Sequence, residues 1–509
     1  MPDGPEIELK FLFAERDGAK VKALVLAASG ARQVTHQRLR TIYFDTPNQD
    51  LWNHGFAVRV RAIGESHVQT VKRIASSRIQ RDEWEAQIGR PELDLGSIKN
   101  TPLARLAGKP SIRRAMRPAF EVDVERTSFM LESGTGRIEA SVDQGAIEAN
   151  GEKLGVGELV LQLKSGGRSA LFNLARVFMS QAPLHPSLIG KAERGRLLAG
   201  GTWGRAASSS KPRLAKDMTC RLAFQEICQT CLHDFHLNLP GLKEAGDVEA
   251  LHQGRIAIRR LRAAMALFKP MVFDIAYRRL RGELKWLAGL FGAARDMDVL
   301  RANLPPPAPD DQASMRAGDL ARDCEAKRFR AHQAAVEALD GERARTLQLD
   351  LAAWIADGRW HRQSSGIAEE PIPRYAGARL RKRRGNLVKQ GAGLAKLGSG
   401  ARHQIRIEAK KLRYMAEFLG DVPGVAKDHN RLKELINCCE KLQAALGAVR
   451  DGEAVAEFME NEVGAGAANG LTKAAILPAG PPSRPKGGIA KELQKAVRSY
   501  SKLAAIEPF

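Results

Sequence analysis

The sequence predicts an α+β protein with two parts, an antiparallel β-rich domain followed by an all-helical domain. Up to about residue 205, short segments of alternating polar and apolar residues are separated by turn signals such as Asn150-Gly151, a pattern typical of antiparallel strands. Beyond that point nearly every segment has helical periodicity, and one basic motif occurs twice. With 509 residues and 44% hydrophobic content, the chain is long enough for two large domains with sizeable cores.

The predicted strands place charged side chains on one face and aliphatic side chains on the other, because alternate residues of a strand share a face. In the first strand, Glu6, Glu8 and Lys10 point one way and Leu9 points the other. Half-exposed strands explain any single case, but the segregation of acids and bases among seven or eight strands favours a barrel with a charged lumen. The same parity holds for Arg38 and Arg40, Arg59 and Arg61, Thr70 and Lys72, Arg81 with Glu83 and Glu85, Glu121 with Asp123 and Glu125, Asp143, and Glu158 with Lys164.

A lumen of this kind is suited to phosphoanhydride chemistry. Arginine guanidinium groups match phosphate oxygens in bidentate fashion, so a basic wall predicts a multiply charged anion. Carboxylates on an acidic wall are the ligands that a hard divalent cation prefers. Such a cation neutralises phosphate charge and can polarise an attacking water. The residues therefore predict metal-assisted attack on a phosphoanhydride.

The helical part contains two copies of one basic motif, which we call the stripes. On a helix, the first, fourth, eighth and eleventh residues of each copy fall within an arc of about 80°. Like charges on one face repel one another, so an anionic partner is expected rather than a solvated basic face. The stripes consist of His252, Arg255, Arg259, Arg260 and Arg262 in the first copy and His403, Arg406, Lys410, Lys411 and Arg413 in the second.

The internal repeat extends beyond the stripes. A segment beginning Arg295-Asp296 follows the first stripe, and one beginning Arg450-Asp451 follows the second. Two units of the same plan predict a pseudo-symmetric helical bundle with both stripes on one surface. We expect domains at 1–204 and 214–509 with a linker at 205–213, and within the second domain two repeats at about 214–340 and 341–475 followed by a helix near 489–503.

Charge and cysteine content narrow the class of protein. The formal net charge is +22, most of it beyond residue 200, which favours nucleic acid, anionic membrane or polyphosphate as partners. The sequence has neither an apolar run long enough for a transmembrane helix nor a signal peptide, so we expect a cytoplasmic protein without membrane insertion. Six cysteines suit a reducing compartment, and Cys228-x-x-Cys231 lacks the second pair of a zinc ribbon, which predicts a structural role.

The first 200 residues resemble the CYTH superfamily, also called triphosphate tunnel metalloenzymes. EIELK at 6–10 is similar to the ExExK signature of that family, and the resemblance spans nearly all of 5–200. It implies an eight-stranded antiparallel β tunnel, dependence on Mg²⁺ or Mn²⁺, and hydrolysis of inorganic, thiamine or nucleoside triphosphates, although some members are adenylate cyclases. The other similar segments are TIYFDTPNQDLWNHGFAVRVR (41–61), QTVKR (69–73), RDEWEA (81–86), VERT (124–127), VDQGAIEANG (142–151), ELVLQLKSG (158–166) and KAERG (191–195).

The second part resembles the CHAD domain, a helical module named for its histidines. The two stripes, headed by His252 and His403, and the two Arg-Asp segments carry this resemblance over roughly 213–505. It implies binding of long-chain inorganic polyphosphate and a place at polyphosphate granules. The CYTH–CHAD order is itself a recurring bacterial architecture.

The CYTH resemblance implies a role for each charged residue of the predicted lumen. The implied metal ligands are Glu6, Glu8, Asp143 and Glu158. The implied catalytic cations, which would grip the phosphates, are Lys10, Arg59, Arg61, Lys72 and Arg126. The implied further substrate-binding residues, among them carboxylates that would hold bases in place or serve a second metal, are Arg38, Arg40, Arg81, Glu83, Glu85 and Lys164.

The last predicted strand departs from the family pattern, which often reads E-x-E-x-E-x-K. Here Val160 and Gln162 replace two carboxylates, and the loss of charge weakens a site for a hard cation. Two functions therefore stay open, a metal-dependent inorganic triphosphatase held on polyphosphate by its CHAD domain and a polyphosphate-binding protein with weak or no activity. A nucleic-acid binder, the third possibility, is not favoured, since no such module is evident and aromatic residues make up only 6% of the chain, which leaves few side chains on which bases could stack.

Overall fold

The computed structural model of the chain describes most of its residues. Glu6 and Arg81, both predicted for the site, lie outside the described part, as does the end of the second predicted repeat, 469–475. The described residues are 8–28, 32–74, 83–134, 136–303, 312–362, 366–420, 422, 425, 429–468 and 486–507.

The first part of the described chain forms one antiparallel sheet of nine strands. The strands are β1 (Glu8–Leu12), β2 (Arg32–Asp45), β3 (Phe56–Ile63), β4 (Ser66–Arg73), β5 (Glu83–Ile88), β6 (Arg117–Ser133), β7 (Gly136–Ala149), β8 (Glu152–Ser165) and β9 (His185–Ser187). Their spatial order is β5-β4-β3-β2-β6-β7-β8-β1-β9. The sequence predicted eight strands closed into a barrel, whereas the described residues form a sheet of nine strands in an open order. In this sheet β1 pairs with β8 on one side and with the short β9 on the other.

The two faces of the sheet have different surroundings. One face borders a cavity of about 890 Å³ and presents Arg59, Arg61 and Arg126 to it. The opposite face of β1, β7 and β8 packs on α1 (Gly18–Ala27) and α6 (Arg168–Gln181), where Phe11 and Leu161 are buried. The alternation of charged and aliphatic residues along these strands produces this division.

Five smaller helices complete the first part. The helices α2 (Asp50–Asn53), α3 (Leu95–Ile98), α4 (Ala104–Ala107) and α5 (Pro110–Ala115) cover an apolar cluster that includes residues of β3 and β4. The fifth, α7 (Lys191–Ala199), packs against the cavity face, where Leu198 contacts a cluster with Leu39, Val122 and Val124. The position of α7 on this face brings Lys191 and Arg194 to the buried carboxylates described below.

The second part of the described chain is helical. Its helices are α8 (Cys220–Ala245), α9 (Val248–Leu267), α10 (Lys269–Val272), α11 (Ile275–Asn303), α12 (Gln312–Asp340), α13 (Glu342–Asp357), α14 (Ile372–Gln390), α15 (Ser399–Leu419), α16 (His429–Ala468) and α17 (Lys486–Ala505). The side chain of Thr219 caps the start of α8, and Gly246, with φ +59°, ends it in the left-handed conformation that glycine favours. One apolar core joins the bundle and contains Phe224, Phe268 and Trp354. None of the helices in the described ranges is long and apolar enough to cross a membrane.

Helix α9 packs against α15, so the two stripes meet in the bundle. The order of elements around them also recurs, since α8, α9 and α11 in the first half correspond to α14, α15 and α16 in the second. Both stripe helices lie in hairpin contact with the helix before them. The packing brings cations from distant parts of the sequence onto one surface.

The segment predicted as a linker, 205–213, is docked on α8. Asn238 exchanges hydrogen bonds with the backbone of Ala207, and the backbone N–H of Ser210 donates to the carboxylate of Asp234. A second contact joins α6 to α13, where Leu349 of α13 is buried in the apolar cluster of the sheet. The two parts of the chain therefore share an extended, partly apolar interface.

Candidate functional site

Three cations of β3 and β4 form a basic wall on the cavity face of the sheet. Arg59, Arg61 and Lys72 all border the cavity. Burial and the neighbouring charge of Arg59 lower the pKa of Arg61 to about 10 and also lower the pKa of Lys72, although Glu83 opposes the shift for Lys72. The wall thus holds positive charges in a place where both desolvation and mutual repulsion disfavour them, which an anion would relieve.

The acids predicted beside this wall occupy its edge. Glu83 forms an ion pair with Lys72 and lies 4.0 Å from an Nη atom of Arg59. Glu85 is exposed and accepts a hydrogen bond from the hydroxyl of Thr70 at 3.2 Å. Glu83 therefore borders the cavity and orients cations, whereas Glu85 lies at the rim.

Tyr43 of β2 belongs to the same wall, although the charge pattern of the sequence does not single it out. It borders the cavity opposite Arg59 in the strand register. Burial alone would raise the pKa of its hydroxyl, but Arg59, Arg61 and Lys72 outweigh burial and lower that pKa. The sequence could have indicated Tyr43 only through its strand position, since Tyr43 and Thr41 are two residues apart and therefore share a strand face.

Two fully buried carboxylates, Asp143 and Glu158, lie side by side on β7 and β8. Arg126 donates two hydrogen bonds of 2.7 Å to Asp143 in a bidentate pair. Lys191 of α7 lies 2.7 Å from Asp143 and also forms an ion pair with Glu158, while Arg194 donates to Glu158 at 2.5 Å. We call these five residues the buried ion network.

The buried ion network changes the role predicted for its acids. Burial alone would raise both carboxyl pKa values, but Lys191 and Arg126 lower the pKa of Asp143, and Lys191, Arg194 and Lys10 lower the pKa of Glu158. The sequence predicted both acids as metal ligands, whereas the structure turns their oxygens towards cations. Asp143 holds Arg126 through two hydrogen bonds, whereas Glu158 pairs with Lys191 and Arg194 of α7.

A second row of oxygen donors lies four residues further along β7 and β8 and includes a residue of β1. Glu8 of β1 and Glu139 of β7 flank Gln162 of β8 in the register, and all three border the cavity. Glu8 forms an ion pair with Lys10, and Lys164 lies 2.7 Å from Glu139 and donates to the Gln162 amide oxygen at 2.7 Å. Within the described residues no group of three His, Cys, Asp or Glu side chains is placed to hold a metal ion. Two carboxylates nevertheless suit Mg²⁺, which is often bound through one or two carboxylates together with substrate phosphates.

Two predicted substrate-binding cations, Arg38 and Arg40, lie on the other face of the sheet. Their side chains are 72% and 62% exposed and pair with Asp123 and Glu121 of β6. The residues of β2 that border the cavity are Leu39, Thr41 and Tyr43, so parity places both arginines outside. The alternation of residues along β2 correctly predicts which side chains share a face, but it does not predict which face borders the cavity.

The stripes form a cluster of positive charge between α9 and α15. Arg259 donates a hydrogen bond of 2.7 Å to the hydroxyl of Tyr414, and the guanidinium of Arg413 lies 4.9 Å from the centre of the same ring. Burial, followed by Arg259, Arg406, Arg255 and Arg413, lowers the pKa of Lys410 to about 7. We call Arg255, Arg259, Arg406, Lys410 and Arg413 the cationic cluster.

Comparison with known proteins identifies both parts of the chain. Residues 4–195 match the family model of the CYTH domain, and residues 226–460 match that of the CHAD domain. The chain is a CYTH–CHAD fusion.

One curated relative and two solved structures are similar to parts of this chain. An inorganic triphosphatase of Haemophilus influenzae is 28% identical over 199 residues, which are 38% of this chain and 54% of that protein, so the chain spans about half the length of this relative. The CHAD domain from the plant Ricinus communis is 23% identical, with 59% of this chain and 97% of that chain covered at a TM-score of 0.46. PptA from Streptomyces chartreusis is 17% identical, with 57% and 96% covered at a TM-score of 0.36.

Several stripe residues of the CHAD domain lie outside the cationic cluster. Arg260 is buried, donates to Asp234 at 2.8 Å and donates to the Ser210 carbonyl at 2.7 Å. It follows Arg259 by one residue and is therefore turned by about 100° towards α8. Arg262 is half-buried near Arg281 of α11, and Lys411 forms an ion pair with Glu408. His252 and His403 are half-buried, and burial lowers the pKa of His252.

Lys191 and Arg194 were not among the site residues predicted for the CYTH domain. Both belong to KAERG, a segment whose family resemblance is visible in the sequence. Strand parity cannot find them because they lie on a helix, α7, that crosses the cavity face. The resemblance of the segment was the only available signal.

Breaking the buried ion network should destabilise the protein more than breaking an exposed ion pair. Asp143→Asn leaves Arg126 and Lys191 without their shared counter-charge in a buried site, so we expect a loss of about 3 kcal/mol in the free energy of unfolding. Glu121→Gln breaks an ion pair on the outer face and should cost less than about 1 kcal/mol. Urea unfolding of both variants measures the difference, and similar losses would show that the network is not a special source of stability.

Proposed function

We propose that the CYTH domain hydrolyses inorganic triphosphate with Mg²⁺ or Mn²⁺ and that the CHAD domain binds inorganic polyphosphate. The observation that carries the first half is the basic wall, in which Arg59, Arg61 and Lys72 face one cavity that Arg126 also borders. Their burial and mutual repulsion favour a small, multiply charged anion. The matched inorganic triphosphatase supports the same reaction class.

The proposed reaction assigns a part to each side of the cavity. Arg59, Arg61 and Lys72 would bind the phosphate oxygens from the basic wall, and Arg126, oriented by Asp143, would approach from the opposite strands. Glu8 and Glu139 would hold the divalent cation together with those oxygens. The cation, when bound, neutralises phosphate charge and polarises the attacking water.

Removing one cation from either side of the cavity should slow triphosphate hydrolysis. Lys72→Gln and Arg126→Gln should each lower kcat/KM by about 100-fold, since each removes a preorganised donor to developing charge. Arg38→Gln and Arg40→Gln remove cations from the outer face and should change kcat/KM less than twofold. Phosphate release from triphosphate with Mg²⁺ or Mn²⁺ gives the values, and equal effects of inner and outer variants would exclude the cavity as the site.

A second function remains supported by one feature, the missing carboxylates of β8. Val160 borders the cavity opposite Lys10, and Gln162 lies between Glu8 and Glu139. Neither side chain adds charge to a cation site. A CYTH domain that binds triphosphate but hydrolyses it slowly or not at all, within a polyphosphate-binding protein, is therefore the alternative.

Restoring one carboxylate distinguishes these functions. Gln162→Glu places a third acid between Glu8 and Glu139 and should tighten Mg²⁺ binding about tenfold, because a hard-cation site gains a negative ligand. If the present site is crippled, hydrolysis of triphosphate should rise in parallel. An active wild type whose rate does not increase in Gln162→Glu would favour the enzyme, while an inactive wild type that becomes active would favour the alternative. Gln87→Glu, at an exposed position of β5, is the matched control.

The second half of the proposal rests on the cationic cluster. Arg255 and Arg259 of α9 lie close to Arg406, Lys410 and Arg413 of α15. Burial, together with the charges of the four arginines, lowers the pKa of Lys410. A flexible chain with about one charge per phosphate can contact several of these groups together. Duplex DNA spreads its phosphates over a stiff, wide cylinder and fits a compact cluster less well.

The pH dependence of polyphosphate binding tests this assignment. Lys410 has a pKa of about 7 in the free protein, and a bound polyanion should raise that pKa, so binding takes up a proton above pH 7. Affinity should then be constant below pH 7 and fall by up to about tenfold per pH unit above it.

Two lysine variants isolate the contribution of Lys410. Calorimetric titration of the full chain with long-chain polyphosphate should show that Lys410→Gln binds more weakly at pH 6 and loses most of the pH dependence. Lys327→Gln removes an exposed cation of α12, far from the stripes in sequence, and should retain both properties. The affinity should also fall with salt, by analogy with counterion release. Equal affinity for duplex DNA, or equal behaviour of the two variants, would contradict the assignment.

A further inference from the structure

Helix α7 connects the buried ion network to the CHAD domain. On one side it supplies Lys191 and Arg194 to the carboxylates of Asp143 and Glu158. Glu193 lies between these two cations in the sequence and accepts from His233 of α8, whose Nε2 is 2.9 Å from both carboxylate oxygens. The side chains of His233 and Glu193 are 11% and 17% exposed, so this contact between the domains is largely shielded from water.

The other contacts of α7 fix it against the sheet. Arg196 donates to Gln49 at 2.9 Å and lies 4.9 Å from the ring centre of Trp52. Gly195 contacts Phe120 so closely that a Cβ atom would lie 2.2 Å from the ring. Strand β6 and the segment around α2 therefore hold the C-terminal half of α7, and the CHAD domain holds the turn that carries Glu193.

We propose that His233 of the CHAD domain is a positioning residue for the reaction in the CYTH cavity, because its bond to Glu193 keeps Lys191 and Arg194 in the buried ion network. This inference rests on the proposed triphosphatase function. The sequence of contacts runs from His233 through α7 to Asp143, which orients Arg126 by two hydrogen bonds. A CYTH side chain that contacts phosphate thus depends on a residue of the other domain.

The geometry separates the expected effects on binding and on turnover. Arg59, Arg61 and Lys72 lie on β3 and β4, whereas α7 contacts β6, β7 and β8. A displacement of α7 would leave the basic wall, and hence substrate capture, nearly unchanged. It would loosen the orientation of Arg126, and small errors of position reduce the rate of the chemical step steeply.

A displacement of α7 should also change the pH dependence of the rate. Lys191, Arg126, Arg194 and Lys10 keep the pKa values of Asp143 and Glu158 low. With Lys191 and Arg194 withdrawn, the effect of burial is opposed less strongly, so both pKa values should rise. Protonated Asp143 no longer accepts a charged bidentate pair, so the acid limb of the rate profile should move to higher pH.

The test compares three variants of the full chain in triphosphate hydrolysis. His233→Ala should lower kcat about tenfold or more, change KM less than twofold, and shift the acid limb of kcat upwards. His233→Gln should restore most of the rate, since the amide Nε2 can donate to Glu193 from a similar position. Arg176→Gln breaks a different contact between the domains, the 2.9 Å pair with Asp350, and should leave kcat and the acid limb unchanged.

Other results would overturn the proposal. Wild-type kcat in His233→Ala would show that His233 does not position α7. Equal losses in His233→Ala and Arg176→Gln would show that any weakening of the interface has the same effect.

A wild-type chain without phosphate release would contradict the proposed function instead. Calorimetric binding of triphosphate without metal then decides the role of His233, because the affinity should rise as Asp143 and Glu158 become protonated. That rise should begin at higher pH in His233→Ala, and an identical pH profile in the two proteins would end the proposal.

Discussion

The neutralisation of two buried carboxylates is the interaction on which the rest of the CYTH cavity depends. Asp143 and Glu158 are fully buried on adjacent strands, a location that is costly for ionised groups unless they are paired. Arg126, Lys191 and Arg194 supply the pairing from a strand and from α7. The need for these pairs fixes the position of α7 on the cavity face and the direction in which Arg126 points. A buried network of this kind commits the cavity to one arrangement of charge.

The two domains also concentrate positive charge in comparable ways. In the basic wall and in the cationic cluster, burial and neighbouring cations lower the pKa of a lysine, Lys72 in one case and Lys410 in the other. In both places the positive charges repel one another at short range and are partly shielded from water. The two sites differ in shape, because the wall borders a cavity suited to a short anion and the cluster lies between two long helices. The same two causes, burial and repulsion between neighbouring cations, therefore act in both domains.

The interface between the domains contacts elements that carry charged residues of both. Leu349 enters the apolar cluster of the sheet, and the segment 205–213 is bonded to α8 rather than extended between the domains. His233 and Asp234, neighbours on α8, contact Glu193 of the CYTH domain and Arg260 of the first stripe. Helix α8 therefore contacts both α7, which supplies cations to the buried ion network, and α9, which carries the first stripe.

The sequence by itself determined the class of each domain, the spacing of the stripes and most cations of the cavity. These features depend on local periodicity, since alternation along a strand and recurrence along a helix are properties of consecutive residues. Tertiary structure decided which strand face became internal, and so placed Arg38 outside and Tyr43 inside. It also decided that Asp143 meets Lys191 instead of an open cation site. Such pairings join residues far apart in the chain, and only the packing of α7 onto the sheet brings their charges close enough to determine their roles.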